Sequence, residues 1–463
     1  MNAEWVASPS GQGPRGWRAR LRALLVLAWP IVVSRGSQVV VSIADAIMVA
    51  HLGAAALAAT TAGAANAFAF FIFPMGITFI VSSFSSQLFG MGDLAAARRH
   101  GWYGLAIAVA AEGVVLLVLP LVTPAIGLFG YAPEVRVQMA GYVVVRLLST
   151  GAVVGLEALG HYFGGLGNTR YQMRASLVAM ALTVVGNWLF IDGHLGAPAL
   201  GVRGAALSNT LSTSVAFIGL LVVFLWEGYR RGAGPLRRAE LLRVLRFGLP
   251  SGLTWFFEFA AYVFFVDVVV AGLGTTSLVA LMTVIQVNSV AFMPTFGLAS
   301  GGAILVGHAI GTGRKDWVGA LVWLTFVVAA VWQSLVALVY LAAPNVVLSI
   351  FARDPETAAA ILTAGRRMLS LSASWQLFDA AANVLGEALR AAGDTRFTMW
   401  ARVVISWIIW APGSWISVRV LGGGARVAVA WLVIYLAALA LVLFLRFQSG
   451  AWRRIALVEP AVG

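Results

Sequence analysis

The sequence predicts an all-α integral membrane protein with twelve transmembrane helices. These helices form two six-helix lobes, which are related by a pseudo-twofold axis along the membrane normal. The chain of 463 residues is 60% hydrophobic and only 11% charged, whereas a soluble protein carries about 25% charged residues. Its apolar runs are each long enough for a helix that crosses a bilayer, which takes about 20 residues. An internal repeat predicts the two lobes and their symmetry.

We place the spans where apolar runs of helical length are separated by short polar or glycine-rich segments. Because no small-residue cleavage site follows the first apolar run, we interpret that run as a retained span and not as a signal peptide. The twelve spans cover residues 24–49, 56–89, 103–123, 136–160, 172–191, 203–226, 247–272, 277–310, 317–343, 358–388, 398–420 and 426–447.

The repeat consists of motifs that recur in the same order at a nearly constant spacing. Pro30 recurs as Pro250, and Pro74 recurs as Pro294. The segment 167–173, GNTRYQM, recurs in altered form as GDTRFTM further along the chain. Each repeat contains six spans, an even number, so both halves should enter the membrane from the same side.

This repeat sets the expected domain organisation. Residues 17–226 form the N-terminal lobe and residues 247–448 form the C-terminal lobe. A basic cytoplasmic linker, 227–246, joins them, and we interpret it as an interfacial helix held by anionic lipid. We expect the tails 1–16 and 449–463 to be disordered.

The net charge of +13 raises the question of a nucleic-acid partner, but the arginines form short clusters between the apolar runs. Most basic residues fall on one side of the predicted spans, so we expect both termini in the cytoplasm and the protein in the inner membrane of the cell. We expect a monomer in the lipid bilayer, with no nucleic acid, no ATP and no cofactor. The chain contains no cysteine, which excludes disulfides and thiolate metal sites.

Acidic residues inside the spans are the main functional signal, because a carboxylate in a spanning helix costs ~2.5–3.5 kcal/mol on insertion scales and tends to face a bundle interior or a wet cavity. In the first span Ser34, Gln38, Ser42 and Asp45 follow one another at helical spacing. These four residues therefore lie on one face of the helix.

Two more spans carry such a polar stripe, and both belong to the second half. We can place no basic residue near the three stripe acids, so each must bind a proton, a metal ion or a cationic substrate. Glu258 and Asp379 could share one cavity and hold either protons or Na⁺, whereas the alternative is that the acids only form hydrogen bonds between packed helices. The stripes are Ser251, Thr254, Glu258 and Tyr262, and Ser372, Gln376, Asp379 and Asn383.

Three other membrane acids, Glu112, Glu157 and Asp267, lack such stripes and are weaker candidates. Arg35 is the basic residue most plainly inside a span, and we expect it to extend its charge to the nearby inner surface. Trp255 and Trp375 lie beside the acidic stripes and could offer aromatic faces to a lipophilic cation, although interface belts explain most tryptophans of membrane proteins.

The chain also contains a series of short motifs in a fixed order. They are Pro30 to Asp45 with Leu52-Gly53; Gln87 to Asp93; Gly167 to Arg170; Asn187-Trp188 to Gly201; Gly248 to Pro250 with Phe257-Glu258; Gly307 to Gly311; and Asp379 with Leu389-Arg390 and Gly393-Asp394. With these motifs the sequence resembles the MATE family, the multidrug and toxic-compound extrusion antiporters, and within it the NorM-like branch. The resemblance extends over nearly the whole chain.

The resemblance implies two lobes around a central cleft, and export of organic cations against inward H⁺ or Na⁺. It also implies that Asp45 is the acid of the first helix, and that Glu258 and Asp379 are the cation-site acids of the second lobe. Thr183 and Asn187 stand where another branch has asparagine and aspartate, so the coupling ion stays open. We therefore predict an antiporter that works by alternating access, with Gln38, Ser42, Asn187, Thr254, Tyr262, Trp255, Trp375, Gln376 and Asn383 as residues of the substrate cavity.

Two alternatives remain. A flippase for lipid-linked oligosaccharides has a related fold, but it would need a basic cleft for pyrophosphate, and these spans are acidic. An integral-membrane transferase would need a catalytic constellation of histidine or aspartate at a membrane face. The sequence contains no such constellation.

Overall fold

The computed structural model describes residues 16–128, 130–231, 234–349, 358 and 361–458. Within these residues the secondary structure is helical, without strands. Ten helices are long and apolar enough to cross a membrane, and a pair of segments bent by 48° adds an eleventh span. The twelfth span is the helix Arg366–Ala391, which is long enough but carries the polar stripe of Asp379. The predicted fold class is confirmed.

The first six helices coincide with the first six predicted spans. The fourth is built from two segments that meet at the bend. The helices are α1 (Trp17–Ala50), α2 (Ala54–Met91), α3 (Leu94–Gly127), α4 (Pro133–Leu147 and Thr150–Gly165), α5 (Arg170–Asp192) and α6 (Val202–Arg231).

The second six helices follow the same pattern, but several of them contain π-helical turns. A short helix, Pro344–Ser349, follows α9. The helices are α7 (Arg238–Phe264, continued by Phe265–Val270 and Ala271–Leu273), α8 (Thr275–Gly311), α9 (Val318–Ala342), α10 (Arg366–Ala391, preceded by Ile361–Gly365), α11 (Thr395–Val404, Ile405–Trp410, Ala411–Trp415 and Ile416–Val420) and α12 (Ala425–Gln448).

The repeated glycine motifs are turns between helices. Gly92 ends α2 in the left-handed region with φ 82°, and Gly313 has φ 76° in the matching turn of the second half. Gly167 and Gly393 form the other repeated pair, with φ 81° and φ 90°. Glycine adopts this backbone conformation without the steric penalty that a Cβ atom brings. The repeated glycines are therefore explained by the turns that they form, and their presence does not indicate a phosphate-binding loop.

Close helix contacts in the first half depend on small residues. A Cβ atom on Gly63 of α2 would lie 2.8 Å from the ring of Tyr142 on α4. A Cβ atom on Gly104 of α3 would lie 2.9 Å from the side chain of Ala158 on α4. Small residues let helix backbones approach in this way, which is typical of packing inside a membrane. The bent helix α4 is thereby held against α2 and α3.

By internal packing, the chain forms two compact units. The first consists of residues 33–252, and the described part of the second consists of 16–32 with 253–458. The helices α1 and α7 therefore each contribute residues to both units, with the change just after Pro30 and Pro250. The predicted lobes, 17–226 and 247–448, differ from these units by the exchange of those helix ends.

The second half of the predicted linker is part of α7 and not a separate interfacial helix. Arg238 begins α7. Glu240 in its first turn accepts hydrogen bonds from Nε and Nη2 of Arg99 on α3, both at 2.8 Å. Tyr103 on α3 also donates to Glu240, at 2.8 Å. The beginning of α7 is thus tied to α3.

The prediction of disorder in the C-terminal tail is wrong for residues 449–458. Ala451–Arg454 form a 3₁₀ turn, and Trp452 and Leu457 are buried. Lys315 donates to the carbonyl oxygen of Arg453 at 2.7 Å. Burial of two large apolar side chains offsets the entropy that ordering this segment costs. Residues 1–15 and 459–463 lie outside the described residues.

Candidate functional site

Asp45 on α1 is buried, with only 8% of its surface exposed. Its Oδ1 accepts a hydrogen bond of 2.6 Å from Asn187 on α5, and its Oδ2 accepts one of 2.8 Å from Asn209 on α6. Hydrogen bonds from neutral amides stabilise a carboxylate without cancelling its charge. Asp45 is therefore positioned by side chains of two neighbouring helices of the same unit, through donors that carry no net charge.

Asn209 was not among the residues that the sequence predicted. It lies in the polar run Ser208 to Thr210 of α6, and this run in an apolar helix was the signal that could have identified it. Arg146 on α4 also interacts electrostatically with Asp45, while its Nη1 donates to the Ser149 hydroxyl at 2.8 Å.

The four residues of the polar stripe of α1 have different surroundings. Asp45 belongs to the asparagine cluster, whereas Gln38 forms a hydrogen bond with Glu157 on α4. Ser42 is exposed. Ser34 forms a 2.7 Å hydrogen bond with Ser176 on α5. The stripe therefore faces α4 and α5 in part, and does not form one continuous polar surface.

Arg35 does not extend to the membrane surface as expected. Its Nη1 and Nη2 donate to the two carboxylate oxygens of Glu157 at 2.9 and 2.7 Å. Both side chains are less than 10% exposed. His161, one turn further along α4, lies 3.5 Å from Glu157. This bidentate pair makes Glu157 part of a buried ion-pair cluster.

The other two weaker acids differ in their surroundings. Glu112 on α3 accepts a hydrogen bond from the backbone N–H of Gly151, in the first turn of the second segment of α4. It thereby supplies an acceptor to a helix N-terminus, whose first N–H groups have no partner within the helix. Asp267 is exposed, in the π-helical continuation of α7.

In the second unit, Glu258 on α7 has a basic partner. Nη1 of Arg402 on α11 lies 2.7 Å from each of its carboxylate oxygens, and Tyr435 on α12 donates to Oε1 at 2.8 Å. The expectation that no basic residue lies near the three stripe acids is therefore wrong. Glu258 is paired with Arg402, and Asp45 and Asp379 interact electrostatically with Arg146 and Arg402, respectively. Arg402 falls inside the predicted span 398–420, so the sequence does place a basic residue in the membrane. It does not show that the side chain points towards Glu258.

Asp379 on α10 has surroundings like those of Asp45. Gln333 on α9 donates to its Oδ2 at 3.2 Å, and Asn383, one turn further along α10, donates to its Oδ1 at 2.9 Å. Asp379 also interacts electrostatically with Arg402 and with Glu258. The predicted grouping of Glu258 with Asp379 thus has support in the structure, with Arg402 as an additional member.

The remaining predicted cavity residues do not all join this group. Gln376 donates to Asn288 on α8 at 2.8 Å, so it connects α10 to a different neighbour. Trp375 is buried, and Trp255 packs edge-on against Phe296 with ring centroids 6.0 Å apart. Thr254 is buried, and Tyr262 is half-buried.

Twelve long helices in two repeats, with carboxylates buried among amides, define a multi-pass membrane transporter. The chain belongs to the MatE family, whose model matches residues 30–189 and 250–416. Its relatives make it NorM-like. It is 28% identical over 449 residues to the Probable multidrug resistance protein NorM of Pseudomonas putida, with 95% of this chain and 96% of that protein covered. It is also 28% identical over 456 residues to a protein with the same name from Rhizobium meliloti, with 94% of this chain and 95% of that protein covered.

Solved structures share this fold. A MOP superfamily transporter from Pyrococcus furiosus superposes with a TM-score of 0.86 at 20% identity, and the match covers 98% of this chain and all of that one. A MATE protein in complex with MaL6 superposes with a TM-score of 0.85 at 19% identity, covering 94% of this chain and 98% of that one. The predicted family resemblance is confirmed.

Proposed function

We propose that this protein is a secondary active antiporter that exports organic cations in exchange for inward H⁺ or Na⁺. The observation that carries the proposal is the pair of acids Asp45 and Asp379, one in each compact unit. Each receives two hydrogen bonds from neutral amide groups, at least one of which lies on a neighbouring helix. Such an acid keeps its charge available for a cation, which is what cation antiport requires.

Competition for these carboxylates would couple the two fluxes. An ionised carboxylate attracts a cationic drug, and a carboxylate that has bound a proton or Na⁺ does not. The two ligands therefore exclude each other, and each can drive the release of the other. Alternating access, in which the site opens to one side of the membrane at a time, then turns this competition into exchange.

The substrates we propose are lipophilic small-molecule cations, and the names of the NorM relatives, which are multidrug resistance proteins, support this proposal. Trp375 and Trp255 supply aromatic rings near the acids of the second unit, where they would favour a cation. We further propose a monomer in the inner membrane with both termini in the cytoplasm, on the basis of the arginine asymmetry.

The buried basic residues argue against the flippase alternative. A pyrophosphate group needs arginines that are free to bind it, but Arg35 is paired with Glu157 and Arg402 is paired with Glu258. Both arginines are thus already engaged by carboxylates, and Asp379 adds a further acidic group beside the pair of Glu258 and Arg402, which suits cations and repels phosphate.

Uptake of a fluorescent organic cation such as ethidium into proteoliposomes tests the proposal. We expect uptake with at least one of the two imposed gradients, pH or Na⁺, and loss of that uptake in Asp45→Asn and Asp379→Asn. Asp267→Asn is the matched control, since Asp267 is an exposed acid outside both clusters. Equal transport by the parent and both buried-acid variants would contradict the proposal.

A further inference from the structure

We propose that the Arg402 side chain is a built-in cation of the second unit, which takes the place of a metal ion beside Glu258 and leaves Asp379 to couple transport to protons alone. This inference rests on the proposed antiport function and specifies its coupling ion. It goes against the expectation that Glu258 and Asp379 hold Na⁺ together.

The geometry at Glu258 gives the first argument. Both carboxylate oxygens lie 2.7 Å from Nη1 of Arg402, and one of them also accepts from Tyr435. The side chains of Arg402 and Glu258 are 16% and 27% exposed, respectively. Hard metal cations bind to oxygen atoms with available lone pairs. At Glu258 those lone pairs are directed at the guanidinium and the phenol.

The charge of the cluster gives the second argument. Glu258 and Arg402 cancel each other, so the group of Glu258, Arg402 and Asp379 carries a single negative charge when Asp379 is ionised. One proton on Asp379 neutralises the group. A Na⁺ ion shared between two carboxylates would instead have to compete with a guanidinium that cannot lose its own proton.

The donors around Asp379 give the third argument. Its two oxygens accept from the amide groups of Gln333 and Asn383. These hydrogen bonds point N–H groups, with their partial positive charge, at the place where a metal ion would sit. A proton binds to only one carboxylate oxygen, so Asp379 can be protonated without losing both amide hydrogen bonds.

The packing around Arg402 is shaped for a guanidinium. A Cβ atom on Gly386 of α10 would lie 3.2 Å from Nη2 of Arg402, so a glycine at this position leaves the room that the guanidinium occupies. Ser406, one turn further along α11, donates to the carbonyl oxygen of Arg402 at 2.7 Å. The guanidinium of Arg402 thus lies between Glu258 and the space that Gly386 leaves.

The groups that face Asp379 from the neighbouring helices are accounted for. Glu258 on α7, Arg402 on α11 and Tyr435 on α12 interact with Asp379 or with its partners, α9 contributes the neutral Gln333, and Glu387 on α10 interacts electrostatically with Arg402. On α10 itself, Glu387 is paired with Arg390, whose Nε lies 3.2 Å from it. A proton on Asp379 therefore cancels the one negative charge that the ion pairs of Glu258 with Arg402 and of Glu387 with Arg390 leave in this region.

Ethidium uptake into proteoliposomes tests the inference when the two gradients are imposed separately. We expect a pH gradient in Na⁺-free buffer to drive uptake by the parent protein, and a Na⁺ gradient at equal pH to give no more than protein-free liposomes. Uptake driven by Na⁺ alone would overturn the inference and leave the antiport function standing. Absence of uptake with either gradient would overturn the antiport function as well.

Charge-balanced variants give a second test. Glu258→Gln frees Arg402 to pair with Asp379, so we expect proton-driven uptake to fall about tenfold or more. Arg402→Gln leaves Glu258 unpaired beside Asp379, and we expect a similar loss. The double variant Glu258→Gln/Arg402→Gln removes the pair but keeps Asp379, and we expect it to recover to within about threefold of the parent. A double variant as inactive as the single variants would contradict the inference.

A binding measurement covers the case in which these variants fail to fold. The melting temperature of the purified parent protein is compared in NaCl and in KCl at equal ionic strength. A ligand that binds the folded state raises the melting temperature, so we expect no difference between the two salts. A rise that is specific to Na⁺ would overturn the inference. Arg419→Gln serves as the matched control for uptake, because Arg419 lies on the same helix and donates to Gly272 outside the cluster.

Discussion

Asn187 donates a 2.6 Å hydrogen bond to Asp45, while its own side-chain oxygen is buried without a hydrogen-bond partner. Gln333 repeats this relationship in the second unit, where its amide donates to Asp379 and its Oε1 is also buried without a partner. A buried amide oxygen without a partner costs free energy. Both acids therefore lie beside an unused acceptor, which is suited to a ligand that donates a hydrogen bond.

Asp45→Asn should abolish coupled export and leave the protein folded. The substitution keeps the shape of the side chain and removes the charge that a cation needs, and a neutral amide is less costly than a carboxylate in a dry site. Drug export from cells at matched protein levels measures the effect. Asp267→Asn makes the same chemical change at an exposed site and should export like the parent. Normal export by the Asp45 variant would show that this acid is structural.

Asn209→Ala should weaken export by about 10- to 100-fold, because a hydrogen bond to a charged group contributes roughly 1.5–3 kcal/mol. Asn209 supplies one of the two amide donors to Asp45. Ser208→Ala is the matched control on the neighbouring residue, whose hydroxyl donates within its own helix to Gly204. The half-maximal drug concentration for transport is the quantity to measure. An unchanged value would mean that Asn209 does not stabilise the ionised carboxylate.

Glu157→Gln should destabilise the protein by about 3–5 kcal/mol, because it leaves Arg35 as a buried charge without its carboxylate. The double variant Arg35→Gln/Glu157→Gln removes both charges and should recover most of the lost stability. The purified variants are heated in detergent, and thermal denaturation is measured as the loss of soluble, monodisperse protein. Equal stability of the single and double variants would contradict a buried ion pair.

Glu112→Ala should lower the free energy of unfolding by about 1 kcal/mol, the usual cost of losing a helix cap. Its carboxylate accepts from the backbone of Gly151 at the start of the second segment of α4. Glu112→Gln keeps an acceptor and should cost less. Neither variant should change the response of transport to a pH gradient, so a selective loss of coupling in Glu112→Gln would assign this acid to the transport cycle.

Single cysteines should report the predicted orientation, since the chain contains none of its own. Arg170→Cys lies at the exposed first residue of α5 and should react with an impermeant reagent only in inverted vesicles. Leu195→Cys lies after α5, at a residue that is 87% exposed, and should react only in intact cells. Arg98 is unsuitable for this test, because its side chain is buried and donates to the carbonyl oxygen of Phe224. The opposite labelling pattern would reverse the topology.

The helices could be predicted from sequence because each depends on local properties. Length, apolar composition and glycine turns at positions such as Gly92 and Gly313 determine where a span begins and ends. The acids Asp45 and Asp379 could be selected for the same reason, since a carboxylate among apolar residues is visible in the chain itself.

The partners of the acids could not be predicted in this way. The pairing of Arg402 with Glu258, and of Arg35 with Glu157, depends on which faces of distant helices meet. Each pair joins residues more than a hundred positions apart. A single sequence gives the period of each helix but not its rotation against its neighbours. The structure therefore shows Glu157 and Glu258 as members of ion pairs, which the sequence alone did not predict.

The polar character of α10 has a consequence for how the protein is made. Arg366 and Arg367 lie at one end of this helix, and Asp379 and Glu387 lie further along it. On the scale of insertion through the translocon, each charged residue near the centre of a helix adds ~2.5–3.5 kcal/mol. Such a helix should enter the bilayer together with an apolar neighbour such as α9, whose Gln333 donates to Asp379. Insertion of α10 would then depend on the same hydrogen bond that positions Asp379. If translation stalled before α10 had paired with α9, we expect the incomplete chain to be removed by the proteases of membrane quality control.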